Sequence, residues 1–137
     1  MTHFLDFLVE QWMLVSALLV MVALFLWTEG KRAGVNISVH QLTALVNNQN
    51  ALVVDLREPK EFREGHIIDA INVPFAKIAD RLSELEAHKS RTFILVDKMG
   101  QHSAGTGRTL KQAGFQVARL NGGMSEWIAS KLPLVKN

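Results

Sequence analysis

The sequence predicts an α/β fold, a mostly parallel sheet flanked by helices, preceded by one N-terminal transmembrane helix. Three observations carry this prediction. An uncharged run of 16 residues, WMLVSALLVMVALFLW, fills positions 12 to 27. Beyond it, short apolar runs rich in β-branched residues alternate with segments of helical periodicity. The polar stretch TEGKRAGVN, residues 28 to 36, separates the two regimes.

The N-terminal element comes first. Sixteen residues of helix rise about 24 Å, and Val9 to Gln11 with Thr28 bring the length toward the ~30 Å of a hydrocarbon core. Trp12 and Trp27 bracket the run, where indole rings favour the headgroup level. A cleaved signal peptide is disfavoured, because no Lys or Arg precedes the run and no small-residue cleavage site follows Trp27. A buried helix of a soluble protein is disfavoured as well, because the run is apolar on all faces and not along one stripe, which suits lipid better than a domain of about 100 residues. Residues 1–28 are therefore expected to form an anchor and 29–35 a linker, leaving 36–137 as one domain. Asp6 and Glu10 precede the span and Lys31 and Arg32 follow it. The positive-inside rule then puts the domain in the cytoplasm. A further possibility is that the span itself associates with other helices through Ser16 and Ala17.

Within the domain, ALVVDL (51–56), AINV (70–73), TFILV (92–96) and QVARL (116–120) read as buried strands. Helical patterns lie at Val39 to Val46, Glu58 to Arg63, Phe75 to Ala87 and Ser103 to Ala113, with Ile78, Leu82 and Leu85 on one face of the third. Gly114 is a natural helix terminator, and Gly122-Gly123 makes a turn before the last helix, MSEWIAS. Alternating strands and helices imply a parallel sheet with ligands at the carboxyl ends of its strands, so the loop after TFILV is the first place to look for a site.

Composition removes several function classes. The chain has no cysteine, which excludes disulfides, cysteine-ligated zinc, iron–sulfur clusters and every thiolate nucleophile. Its five histidines, His3, His40, His66, His88 and His102, show no metal-ligand spacing, and no metal or cofactor is expected. After residue 27 there are fifteen basic and eleven acidic side chains, spread without a basic stripe. Nucleic acid is therefore not an expected partner. Gly105 and Gly107 do not form GxGxxG, so a dinucleotide site is not expected either. Lys77, Arg81, Lys89 and Arg91 read as a solvated face that could meet anionic headgroups at a membrane surface.

The stretch VVDLREPKEFREGHIIDAINVP (53–74) resembles the signature of rhodanese-like domains, through Asp55, Arg57, Glu58, Phe62, Gly65-His66-Ile67, Ala70 and Asn72-Val73-Pro74. LKQAGFQVARLNGGMSEW (110–127) resembles the closing pattern of the same family. Together with one N-terminal span, the chain is similar to small membrane-anchored rhodanese-like proteins of Gram-negative bacteria. The family's chemistry uses a cysteine thiolate in a loop whose backbone amides and following helix stabilise a persulfide anion. The matching segment here is Asp97-Lys98-Met99-Gly100-Gln101-His102-Ser103. The resemblance puts Asp97 at the cysteine position, Gly100 at the glycine, His102 at the basic residue and Ser103 at the serine.

Two readings of Asp97 follow. It could be a carboxylate nucleophile or metal ligand, a role for which Lys98 alone is thin support. The favoured reading is that its carboxylate accepts hydrogen bonds from the loop amides and fills the anion site from within. Asp55 and Arg57 are expected to pair and tie neighbouring loops, and His66 to bond backbone in a turn. The function expected is a tethered, catalytically inactive binding or scaffold module at a bacterial inner membrane. Its expected partners are the lipid bilayer and a membrane or cytoplasmic protein. The alternative is a sulfurtransferase-related carrier or small-anion enzyme using a partner's thiol.

Overall fold

In a computed structural model, residues 2–32, 34–48 and 50–136 are described. The chain divides into two compact units, Met1–Lys31 and Arg32–Asn137. In the first unit, the single helix expected before residue 28 is two helices, α1 (Thr2–Glu10) and α2 (Trp12–Arg32). Among the described residues, no single helix is long and apolar enough to cross a membrane. α1 and Trp12–Thr28 of α2 meet that test together, across a bend of 73°. Neither proline nor glycine stands at the bend, and Gln11 N–H still donates to Phe7 O at 2.9 Å. Phe4, Leu5, Leu14, Leu18, Leu24, Phe25 and Trp27 are all exposed. α2 also runs as far as Arg32, into the stretch expected as a linker; Ala33 lies outside the described residues.

The second unit is a five-stranded, all-parallel sheet of order β1-β5-β4-β2-β3. Its strands are β1 (Val35–Ile37), β2 (Ala51–Asp55), β3 (Ile71–Asn72), β4 (Thr92–Val96) and β5 (Gln116–Leu120). β2, β4 and β5 fall where the β-branched runs predict them. β1 does not, since the sequence places its residues in the linker and at the domain edge. Side chains alternate across the sheet, as the two-residue strand period demands. Ala51, Val53, Ile94 and Val96 join Leu42 of α3 (Val39–Asn47) and Met124 and Trp127 of α7 (Gly123–Ala129) on one face. Leu52, Val54, Phe93 and Leu95 join Ile78, Leu85 and Leu110 on the other.

Local sequence explains the helix ends. Ser38 and Gln41 form a reciprocal capping box at the start of α3, satisfying two otherwise unpaired N–H groups. Pro59 opens α4 (Pro59–Glu64), where its missing N–H costs no helical bond. α6 (Ser103–Gln112) ends at Gly114, whose φ of 92° suits a residue without a Cβ. The helix expected over Phe75 to Ala87 is instead a chain of short turns. Phe75–Lys77, Ala79–Arg81 and Glu86–His88 are 3-10, and only α5 (Leu82–Leu85) is α-helical. Arg81 leaves helical geometry at φ −113°, ψ 15°, while its Nη1 donates to Asn72 O at 3.2 Å.

Candidate functional site

The carboxyl ends of β2 and β4 lie side by side, with Asp55 in register with Val96, and each strand delivers a buried aspartate. Asp97, the residue after β4, is 2% exposed. Its carboxylate is surrounded by the backbone of its own loop. Gly100 N–H donates to Oδ1, and His102 and Ser103 N–H donate to Oδ2 at 2.6 and 3.0 Å. Gly100 makes this wrap possible at φ 97°, a conformation that costs glycine nothing. Ser103 Oγ donates to Gly100 O at 3.2 Å, and Met99 N–H to Gln101 Oε1 at 2.9 Å. The donors are those of a tight loop feeding the N-terminus of α6, an arrangement that favours an anion. Here the anion is the chain's own side chain.

α7 braces the loop from behind. Met124 N–H donates to Asp97 O at 2.7 Å, and Ser125 N–H and Oγ both donate to Lys98 O at 2.9 Å. Gly123 holds φ 59° and sits so close that an added Cβ would collide with the Asp97 carbonyl oxygen. The field of Asp97 reaches β5. Burial and neighbouring Arg108 lower the Arg119 guanidinium from its ordinary value, and Asp97 opposes them.

Asp55 is satisfied differently. Arg57 donates Nε to both carboxylate oxygens, at 3.0 and 3.2 Å, and Nη2 to Oδ2 at 2.8 Å. Nη2 also reaches Gly65 O at 2.7 Å, tying the far end of α4 to the strand end. Asn72 Nδ2 donates to the carbonyls of Asp55 and Arg57, at 3.1 and 2.9 Å. His66 is buried, with Nδ1 2.7 Å from Phe62 O and its ring stacked on Phe62 at 3.7 Å. Its backbone pairs with Val135 in both directions at 2.9 Å.

Between the two loops opens a cleft of about 110 Å³, whose lining includes Arg57, Glu58, Glu61, Asp97, Lys98 and His102. Phe75 closes one side, its ring stacked on His102 at 3.8 Å. The structure thus brings Arg57, Glu58, Asp97, Lys98, Gln101 and His102 to one place. Gly65 enters only through its carbonyl, and His66 lies outside the cleft lining. Phe75, Asn72 and Gly123 belong to the site's framework and are not among the site residues the sequence predicts. Asn72 and Gly123 lie within stretches whose motif character is visible in the sequence, whereas nothing local marks Phe75 as the partner of His102. Among the described residues, no group of three His, Cys, Asp or Glu could hold a metal ion.

Comparison with known proteins adds an independent line. The model of the rhodanese-like domain family matches residues 38–130. The Escherichia coli protein YibN is 41% identical over 98 residues, covering 70% of this chain and 68% of its own length. A sulfurtransferase of Allochromatium vinosum is 34% identical over 92 residues, covering 66% of this chain and 84% of its own. Among solved structures, a rhodanese-related protein from Thermoplasma volcanium superposes with a TM-score of 0.68 at 27% identity, over 75% of this chain and 99% of its own.

Proposed function

The chain belongs to the rhodanese-like family, and from that premise we propose that it is a membrane-tethered, catalytically inactive binding or scaffold module. Its domain would stand on the cytoplasmic face of a bacterial inner membrane. The observation that carries the inactive reading is the Asp97 carboxylate. The loop amides that could stabilise an anionic sulfur species already hold an oxygen anion of the same chain. With no cysteine in 137 residues, no protein persulfide can form. A cleft with its reactive position closed still offers shape, charge and an aromatic wall, which is what a docking module needs.

The relative named as a sulfurtransferase supplies the activity to test. Purified protein is expected to turn over no thiosulfate with cyanide or an added small thiol as acceptor. Steady turnover that follows the pure protein and disappears with Asp97→Ala would overturn the inactive reading.

The tether rests on the exposed apolar side chains of α1 and α2, which cost free energy in water at about 25 cal/mol per Å². The bilayer is the first partner proposed, and a membrane or cytoplasmic protein the second. The protein is expected to stay with membranes through an alkaline wash. Protease added to the periplasmic side is expected to leave the domain intact. Release by the wash, or digestion from that side, would refute tether or orientation respectively.

A further inference from the structure

β2 is not covered along its whole length. β4 pairs with all of it, from Ala51 to Asp55, but β3 on the other side pairs only with its end, Ile71 with Val54 and Asn72 with Asp55. Backbone groups of successive residues point to opposite sides of a strand. Asn50 O and Leu56 N–H bond Thr92 and Val96 on the β4 side, whereas Asp55 O accepts from Val73 on the β3 side. The N–H and C=O of Ala51 and Val53 therefore face the β3 side as well. A ladder carried one step further would join Val53 N–H to Asp69 O and Asp69 N–H to Ala51 O. Neither bond forms, and Val53 N–H and Ala51 O have no other hydrogen-bond partner among the described residues. Val53 is only 3% exposed, and an N–H so enclosed is rarely left without an acceptor.

The local backbone explains the gap. Ala70 N–H donates back to Ile67 O at 3.1 Å and Asp69 takes φ 62°, so the chain enters β3 out of a turn instead of along β2. The space left beside Ala51 to Val53 is a groove of about 370 Å³, bounded also by Val46, Ile68, Asp69 and Arg91. Ile68 is 57% exposed, and Arg91 makes no ion pair among the described residues.

We propose that this groove takes an extended segment of a partner protein, added to β2 as a short parallel strand in line with β3. The central residue of the segment donates its N–H to Ala51 O and accepts from Val53 N–H, which pairs it with Leu52. Its side chain then lies on the Leu52 face, where the unpaired Arg91 favours a carboxylate. The residues on either side of it turn to the face of Ala51 and Val53, where Val46 packs and Ile68 adds aliphatic surface. Asp69 disfavours a second carboxylate. The recognised chemistry is an apolar–acidic–apolar stretch held by main-chain bonds, and three residues of strand span about 10 Å, the length of the open edge. The groove is distinct from the Asp97 cleft, so the proposal stands whether or not the domain transfers sulfur.

The test uses the full chain in detergent micelles, labelled for amide NMR and hydrogen exchange. In the free protein the Val53 amide is expected to exchange faster than those of Leu52 and Val54, which face β4. Acetyl-Val-Glu-Val-amide, titrated to about 10 mM as so few contacts require, is expected to shift the amides of Val53 and Ile68 saturably and to slow exchange at Val53. The analogue methylated on the glutamate nitrogen keeps every side chain but cannot donate to Ala51 O, and is expected not to bind. Arg91→Glu, a change at an exposed position, is expected to weaken the glutamate peptide about two- to fivefold, the worth of one exposed ion pair. A Val53 amide as protected as its neighbours in the free monomer, no saturable shift, equal binding of the methylated analogue, or no effect of Arg91→Glu would overturn the proposal. Light scattering on the same sample addresses the other occupant: a dimer with Val53 already protected would give the edge to a second copy and refute the partner segment.

Discussion

Asp55 and Asp97 stand at the ends of neighbouring strands, 1% and 2% exposed, yet only Asp55 has a countercharge bound to its carboxylate. Asp97 is held by N–H groups of its own loop, so the loop is shaped around an anion without supplying a countercharge. Asp55 accepts one backbone N–H, from Arg57, but is held chiefly by that residue's guanidinium, which in turn fixes the carbonyl of Gly65. The difference teaches which position tolerates chemical change. A backbone cradle can be refilled by water or another anion, because its donors remain where the loop puts them. An ion pair cannot lose one member without leaving the other charged and buried.

That contrast can be broken by substitution. Asp55→Ala is expected to have the largest effect, about 3–5 kcal/mol lost in urea unfolding of the full chain, since Arg57 is left without its partner in a buried place. A loss under ~1 kcal/mol would show that the pair is not what holds the two loops. Asp97→Ala is expected to cost less, about 1–3 kcal/mol, because solvent can reach the amides at Gly100 and His102. A cost equal to that of Asp55→Ala would erase the distinction. The smallest effect is on titration alone. In Asp97→Cys, the new thiol is expected to alkylate with an apparent pKa about one unit below the ordinary ~8.5, because the loop amides and the α6 N-terminus favour the thiolate. A value at or above 8.5 would mean that the loop holds its shape only around a carboxylate.

The sequence made the sheet's interior legible and its margins less so. TFILV coincides with β4 and QVARL with β5 because central parallel strands are buried on both faces and read as continuous apolar runs. β1 is three residues long with only Ile37 buried, so VNI carries no such run and passes for linker. Ile78, Leu82 and Leu85 keep helical spacing although the backbone between Phe75 and His88 is mostly 3-10; both helix types bring residues three or four apart to one side, and the spacing does not distinguish them. The apolar run from Trp12 coincides with the start of α2, but the helix expected to continue back through Val9 to Gln11 bends there, and no proline or glycine announces the bend. At the site, the tight spacing of Asp55 and Arg57 and the composition of the Asp97 loop are local features. The Phe75–His102 stack, the bond from Arg57 to Gly65 and the packing of Gly123 against Asp97 join residues 8 to 27 positions apart, and depend on the folded sheet.

The strand order also sets a timetable for the chain's birth. β1 has one strand neighbour, β5, and about 80 residues separate the two in the sequence. At a synthesis rate of about 5–20 residues per second, β1 waits roughly 4–16 s after its own translation before its mate exists. During that interval β2 and β4 can already pair, while Val35 to Ile37, which follows the apolar N-terminal segment in the sequence, presents an unsatisfied edge. The nascent protein is therefore most open to mispairing and to chaperone capture in the middle of its synthesis, and the arrival of β5 ends that exposure.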